Sequence, residues 1–180
     1  MRRTTRQLIV GFMMIGVISA GRPARADDLH AETVQHVRSS NASIIALIGL
    51  ARQQSTTFRG LIETINASEG IVYVENGECG RGVRACLVSV TTAGGHRFLR
   101  VHVNTEEADW DLMGSIGHEL RHTIEVLSNR TVTATASLHS FYLHSSSTDG
   151  FLKPFETNAA VETGAAVRGE VQKYRRTSVP

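Results

Sequence analysis

The chain has 180 residues, of which 41% are hydrophobic and 20% charged, and its formal net charge is +2. This composition predicts one globular domain with a sizeable hydrophobic core, without internal repeats or low-complexity tracts. Five of the 19 basic residues lie before residue 27, so the rest of the chain has 14 basic and 17 acidic residues, a balance that argues against nucleic-acid binding.

Residues 1–26 have the pattern of a secretory signal peptide. Three arginines within the first six residues form a basic start, an apolar run follows over residues 8–20, and Ala24-Arg25-Ala26 is an A-x-A cleavage signal. The apolar run is too short for a stable membrane span, which requires roughly 20 residues. We therefore expect an exported protein, periplasmic or extracellular, with a single mature domain over residues 27–180.

Cys79 and Cys86 are the only cysteines of the chain. An exported protein meets an oxidising compartment, so this pair is interpreted as a disulfide that closes a glycine-rich loop. A zinc site built on these cysteines is disfavoured because no second cysteine pair exists.

The first half of the predicted domain has a helical pattern followed by a strand pattern. Apolar residues recur at spacings of three and four from about residue 29 to residue 65, which predicts helices interrupted near Ser39-Ser40-Asn41 and Gln53-Gln54-Ser55. Short apolar runs then predict three strands, listed here in chain order: residues 71–74, 86–90 and 98–103. A glycine turn at residues 92–95 joins the last two, so we expect a three-stranded antiparallel sheet.

The second half is predicted to be helical. Glu106–Leu127 has the apolar spacing of an amphipathic helix, with Thr105 as its predicted N-cap and a stop near Asn129. Two further helices are predicted over residues 131–141 and 155–174, separated by a polar loop. Helices before and after a small sheet predict an α+β domain.

The long predicted helix contains the motif HExxH, formed by His118, Glu119 and His122. In a helix, two histidines four residues apart lie on the same face, about 6 Å apart along the axis. Two imidazoles so placed can bind one Zn²⁺, with the glutamate beside them as a general base. This motif predicts a metal-dependent hydrolase.

With this motif on a helix that follows a small sheet, the chain resembles the zincin metallopeptidases, and among them the gluzincins. More narrowly, it is similar to small, secreted bacterial proteins of peptidase character. The resemblance implies a minimal zincin-like domain, Zn²⁺ bound by His118 and His122, and Glu119 as general base. It also implies a peptide or protein substrate, hydrolysed by metal-activated water, and a third ligand contributed by a glutamate of a later helix.

Three downstream carboxylates are candidates for the third ligand, because a catalytic zinc takes three protein ligands and one open position. Glu156 is favoured, since small residues that permit close helix packing follow it; Glu162 is second and Asp149 third. Gluzincins often place an acidic residue four positions after this ligand, where the present chain has Ala160. Support for a ligating histidine must then come from elsewhere, and Glu125, Glu162 or a backbone carbonyl are the candidates.

Two further roles are assigned to parts of the predicted site. Residues 97–103 are expected to form a sheet edge that could bind an extended peptide, although an ordinary sheet position is equally compatible with the pattern. The possible oxyanion stabilisers are His139, Tyr142 and His144, with packing or surface roles as the alternative.

The function that the sequence favours is that of a secreted zinc metallopeptidase. Two alternatives stay open: an exported zincin-like domain that binds metal or regulates without turnover, and a structural domain in which the motif is coincidental. The sequence indicates neither a cleavage specificity nor an oligomeric state.

Overall fold

The computed structural model describes residues 35–145 and 156–178. The predicted signal peptide at residues 1–26, the start of the first predicted helix and the candidate ligand Asp149 lie outside the described residues. The elements of the described part, in chain order, are β1 (Val37–Arg38), α1 (Ala42–Gln54), α2 (Thr56–Asn66), β2 (Gly70–Asn76), β3 (Ala85–Ala93), β4 (His96–Val103), α3 (Trp110–Ser128), α4 (Thr135–Ser145) and α5 (Asn158–Ser178). The α+β class predicted from the sequence is confirmed.

The sheet differs from the predicted one. Its strand order is β1-β2-β4-β3, with β2 parallel to both β1 and β4, and only β3 antiparallel to its neighbour. The prediction of a three-stranded antiparallel sheet was therefore wrong: the described sheet is four-stranded and mixed. The reason is the connection after β2, residues 77–84, which carries the chain past the position of β4 before β3 begins.

The strand order also moves the free edge of the sheet. β4 lies between β2 and β3, so its backbone is paired on both sides, and the prediction of a peptide-binding edge at residues 97–103 was wrong. β3 is the edge strand on this side of the sheet. The predicted turn between β3 and β4 is confirmed, with Gly94 and Gly95 both at positive φ (57° and 81°) as a tight hairpin turn requires.

Side-chain caps fix where the first helices begin. Asn41 Oδ1 accepts hydrogen bonds from the backbone N–H groups of Ser43 and Ile44 at the start of α1, and Ser55 Oγ accepts one from Phe58 N at the start of α2. The predicted interruptions at residues 39–41 and 53–55 are thus confirmed. The two residues of β1, predicted to be helical, instead pair with β2.

The N-cap of α3 is Asp109, whose Oδ1 accepts from Leu112 N at 2.9 Å, and the prediction of Thr105 was wrong. The hydroxyl of Thr105 is engaged elsewhere, because it donates to Asn76 Oδ1 at the end of β2. α3 ends at Ser128, close to its predicted stop at Asn129. α4 and α5 each begin a few residues later than predicted, at Thr135 and Asn158.

The helices and the sheet share one hydrophobic core. Ile44 of α1, Phe58 of α2, Leu99 of β4 and Ile116 of α3 are buried in the same cluster of apolar side chains. Burial of the apolar stripe of α3 fixes the rotation of this helix about its own axis, and with it the direction in which its histidines project. No helix within the described ranges combines the length and apolarity needed to cross a bilayer.

Cys79 and Cys86 form a disulfide, with a Cα–Cα distance of 5.6 Å, as predicted. The bridge joins the loop after β2 to the second residue of β3. It restricts the start of the edge strand at the position where that strand approaches α3.

Candidate metal centre

The two histidines of the HExxH motif converge on one point beside α3. Their Nε2 atoms lie 3.1 Å apart, and their rings meet edge to face with centroids 4.7 Å apart. His122 is buried, with 4% of its surface exposed, and His118 is half-buried. The helical spacing of four residues therefore places both imidazoles on one face, as predicted from the motif.

Glu156 completes a group of three ligand atoms. Its Oε2 lies 3.1 Å from His118 Nε2, and the three ligand atoms of His118, His122 and Glu156 all lie within 4.8 Å of one another. This group could hold a metal ion. Glu156 lies two residues before α5 begins, so the carboxylate is contributed by the approach to the helix rather than by the helix itself. Glu162, the second candidate, is exposed on α5 and is outside the group.

Glycines at the contact between α3 and α5 allow this convergence. A Cβ atom on Gly117 would lie 2.9 Å from Cγ2 of Val167, and one on Gly164 would lie 3.1 Å from Cβ of His118 and 3.2 Å from the carbonyl oxygen of Gly114. Larger residues would hold the two helices further apart, because side chains in a packed interface cannot overlap. The small residues after Glu156, noted in the sequence, are thus part of the reason that Glu156 reaches His118.

Glu125 orients His122. Its Oε2 lies 3.0 Å from Nδ1 of His122, and its Oε1 accepts a hydrogen bond from the hydroxyl of Thr157 at 2.8 Å. Burial raises the pKa of Glu125, but the bonds from His122 and Thr157 outweigh it, so that the pKa lies below its ordinary value. Of the supports considered from the sequence, Glu125 contacts His122, whereas Glu162 is exposed on α5.

Arg121, the charged residue inside the HExxH motif, pairs with Glu125. Its Nε lies 3.4 Å from Oε1 of that carboxylate, four residues further along α3. The charged residue thus lies beside the site without entering the group of ligand atoms.

Glu119 lies buried between the histidines and the edge strand. Its Oε2 accepts a hydrogen bond from Leu87 N of β3 at 2.8 Å, and its Oε1 lies 3.8 Å from Nε2 of His118. Burial raises the pKa of Glu119 to about 7, against the attraction of His122 and His118 and the Leu87 hydrogen bond. The contact with Leu87 was not foreseen from the sequence, since it depends on which strand forms the edge.

The charge state of His118 is set by two opposing effects. Burial lowers the pKa of its imidazole, but the hydrogen bond with Glu156 and the negative charges of Glu119 and Glu156 outweigh burial, so that the pKa lies above its ordinary value. Arg168 of α5 acts in the opposite direction, which places a cation close to this edge of the site.

A cleft of about 430 Å³ opens beside Glu119 and His122. Much of its lining is apolar, and it includes both cysteines of the disulfide; the lining residues are Cys79, Val83, Ala85, Cys86, Leu87, Val88, Glu119, His122, Leu138, His139, Tyr142 and Glu156. The cleft is thus bounded by the edge strand β3 on one side and by α4 on another.

Of the three possible oxyanion stabilisers, His139 and Tyr142 line the cleft. The buried ring of Tyr142 packs edge-on against His122, with centroids 5.1 Å apart, and burial together with the neighbouring carboxylates raises the pKa of its hydroxyl. His144 is exposed at the end of α4, where its Nδ1 lies 2.6 Å from the carbonyl oxygen of Ser140, and it is not part of the cleft lining.

No protein-family model, curated protein or solved structure matches the chain. The chemistry of the site is therefore inferred from its own residues and their arrangement.

Proposed function

We propose that the protein is an exported zinc-dependent metallopeptidase that hydrolyses peptide bonds, with Glu119 as general base. The observation that supports this most directly is the convergence of His118, His122 and Glu156 beside the buried carboxylate of Glu119. Two imidazoles and one carboxylate, with a further carboxylate held next to them, are the side chains that a hydrolytic zinc site requires.

The donor set fits Zn²⁺ in chemistry and in size. Ligand atoms of a tetrahedral zinc, with bonds of roughly 2.0–2.1 Å, lie about 3.3 Å apart. Two of the three separations, between the two Nε2 atoms and between His118 Nε2 and Glu156 Oε2, are 3.1 Å and close to that value, and the third is within 4.8 Å. Neutral imidazole nitrogen is a good ligand for zinc, whereas Mg²⁺ and Ca²⁺ prefer sites built from oxygen ligands.

We assign the proton transfer of the proposed reaction to Glu119. Zn²⁺ in such a site lowers the pKa of water to about 7 and polarises a carbonyl group. Glu119 would accept a proton from the attacking water and return it to the leaving amine, while its bond from Leu87 N holds the carboxylate in position. Tyr142 and His139, which line the cleft from α4, are the candidates to stabilise the oxyanion.

The edge of β3 offers a binding surface for the substrate. Residues 85–88 line the cleft, and β3 has an unpaired neighbour position in the described sheet on the side away from β4. Leu87 N is bonded to Glu119, and the backbone N and O of Val90 are bonded to Thr135 of α4. An extended peptide could therefore add only to the remaining backbone groups of residues 85–88, with its side chains in the apolar cleft. This role replaces the one assigned from the sequence to residues 97–103.

Two measurements test the proposal. Protein purified without chelator should contain close to one equivalent of zinc, since a real site retains its metal. It should cleave an unfolded protein mixture, and Glu119→Gln should retain the zinc but lose the cleavage by a factor of about 10² or more. Glu162→Gln, an exposed glutamate of α5, is the matched control and should behave like the wild type.

The outcomes separate the competing functions. Zinc below about a tenth of an equivalent would mean that the motif is coincidental. One equivalent of zinc without cleavage would identify a metal-binding or regulatory domain instead. Equal cleavage by wild type and Glu119→Gln would contradict the role of Glu119.

A further inference from the structure

A second recess opens on the other side of the metal-ligand group. Its volume is about 300 Å³, and its lining is mostly polar, with Arg84, Asp111, His118, Glu119, Glu156 and Arg168 among the lining residues. Glu119 and Glu156 line both this recess and the apolar cleft, so the two spaces meet at the group that could hold the metal.

Two guanidinium groups from distant parts of the chain converge in this recess. Arg84 Nη1 lies 3.1 Å from Asp111 Oδ2, and Arg168 Nε lies 2.5 Å from Asp111 Oδ1. Arg84 Nη1 also lies 2.8 Å from Asp109, and Arg168 Nη2 donates to Ser115 Oγ at 3.2 Å. Both arginine side chains remain partly exposed, at 26% and 34%. Their guanidinium groups are therefore fixed in direction yet open to solvent.

Arg168 lies close to the first metal-ligand candidate. A Cβ atom built on Gly164 would lie 3.1 Å from Cβ of His118 and 3.2 Å from Nη1 of Arg168, so both atoms border the same small space above that glycine. One residue of an extended peptide spans about 3.3 Å. A substrate group bound by Arg168 would therefore be one or two residues along the chain from the peptide bond at the metal site.

The two arginines have hydrogen-bonding capacity that their ion pairs do not use. Arg84 Nε and Arg168 Nη1 donate to no group among residues 35–145 and 156–178. Asp109 additionally caps α3 by accepting from Leu112 N, so its charge is shared with the helix terminus. A guanidinium with free N–H groups, already oriented by a neighbouring carboxylate, is suited to bind a second planar carboxylate.

We propose that Arg84 and Arg168 form a carboxylate-binding subsite that selects substrates with a negative charge beside the scissile bond. The carboxylate is either the free C-terminus of a peptide or the side chain of an aspartate or glutamate. This inference rests on the proposed peptidase function for its place in the reaction, but the binding itself requires only the two arginines and the recess.

The test is a binding measurement with three peptides of one sequence. The first peptide has a free C-terminal carboxylate, the second a C-terminal amide, and the third the amide together with one internal glutamate. Calorimetric titration uses the protein as purified, and the arginine variants below separate contact with the guanidinium groups from contact with a metal. We expect at least one anionic peptide to bind about tenfold more tightly than the neutral amide, and the peptide that does so identifies the source of the charge.

Variants connect the preference to the arginines. Arg168→Gln should abolish the difference between anionic and neutral peptides, and Arg168→Lys should retain part of it. Arg100→Gln, which removes an exposed arginine of β4 paired with Glu75, should leave it unchanged. If Arg168→Gln does not fold, as judged by circular dichroism, Arg84→Gln serves as the second variant with the same expectation.

Equal binding of all three peptides, or a preference that survives in the folded glutamine variant, would overturn the subsite. Zinc content and the Glu119→Gln comparison report separately on the peptidase function. If the peptidase function is wrong, the carboxylate preference can still be present without zinc or cleavage. If the subsite is wrong, cleavage is retained and the preference is absent.

Discussion

Nδ1 of His122 lies 3.0 Å from a carboxylate oxygen of Glu125, so the opposite nitrogen of the ring is directed at the group formed with His118 and Glu156. Removing this carboxylate should leave the histidine free to rotate and lower its basicity. We expect Glu125→Ala to weaken zinc binding by roughly 10- to 100-fold, measured by competition with a chelator of known affinity. Glu162→Ala is the control, and equal affinities of the two variants would contradict the orienting role.

Replacement of Glu156 tests the third ligand. Glu156→Ala should reduce the zinc retained after dialysis well below one equivalent, because two histidines alone form an incomplete site. Glu162→Ala, which removes an exposed carboxylate six residues later, should retain the metal. The zinc content of both variants is measured by atomic absorption. If Glu156→Ala holds zinc as tightly as the wild type, another ligand completes the site.

The contact between α3 and α5 is sensitive to one methyl group. Gly117→Ala would place a Cβ atom 2.9 Å from Val167 Cγ2, so that either the side chain of Val167 or the helix that carries it must shift. We expect a loss of about 1–3 kcal/mol in the free energy of unfolding, together with weaker zinc binding, since Glu156 would move relative to His118. Gly169→Ala, also in a helix but with open space around it, should be neutral or slightly stabilising. Urea denaturation compares the two variants, and equal effects would exclude a role for close packing.

Arg97 is a buried structural cation whose guanidinium satisfies the last carbonyl groups of α3. It is 4% exposed, and besides its ion pair with Glu69 it donates to the carbonyl oxygens of Val126, Leu127, Asn129 and Val132. Arg97→Met would leave several of these groups without partners, at a cost of about 3 kcal/mol or more. Arg100→Met, at a half-exposed ion pair in the same strand, should cost less than about 1 kcal/mol. Chemical denaturation followed by circular dichroism measures both, and a loss of similar size would contradict the capping role.

Glu170 should make the stability of the fold depend on pH in the acid range. Burial raises the pKa of its carboxyl, but the bonds from Ser55 Oγ, Thr57 Oγ1 and Thr57 N outweigh burial and hold the pKa below its ordinary value of 4.5. Because the pKa of Glu170 is lower in the folded state, its ionised carboxylate stabilises the fold at pH values above 4.5. This contribution to the free energy of unfolding is lost as the pH falls through the lowered pKa. Glu170→Gln should therefore reduce the free energy of unfolding by about 1 kcal/mol at pH 7 and flatten its decline below about pH 5. If the free energy of unfolding of Glu170→Gln falls with decreasing pH as steeply as that of the wild type, other carboxylates cause the loss of stability in acid.

Features that depend on local sequence were predictable. The helix that carries the HExxH motif, the turn at Gly94-Gly95 and the short disulfide loop follow from periodicity, backbone conformation and cysteine spacing. Glu156 was also preferred over Glu162 from sequence, because the small residues after it indicated close packing. That packing is present at Gly164, where α5 approaches His118.

Features that depend on long-range pairing were not predictable. The sequence of an apolar strand does not determine which other strand it pairs with, so the central position of β4 was not predicted. The contact of Leu87 with Glu119 depends on that position and was not predicted either. The N-cap of α3 was misassigned because Thr105 and Asp109 are both able to cap a helix. Tertiary contacts distinguish them: Thr105 donates to Asn76, and Asp109 is paired with Arg84.

The central position of β4 has a consequence for the order of folding. β2 is synthesised before β4, and until the β3–β4 hairpin has closed and docked, one edge of an apolar strand, Ile71–Val74, has no partner. Such an edge can pair with another chain, so we expect aggregation to be favoured at this stage. Because the hairpin is the more local element, its closure is expected to precede the parallel pairing, and the docking step would then govern the rate at which the native state is reached.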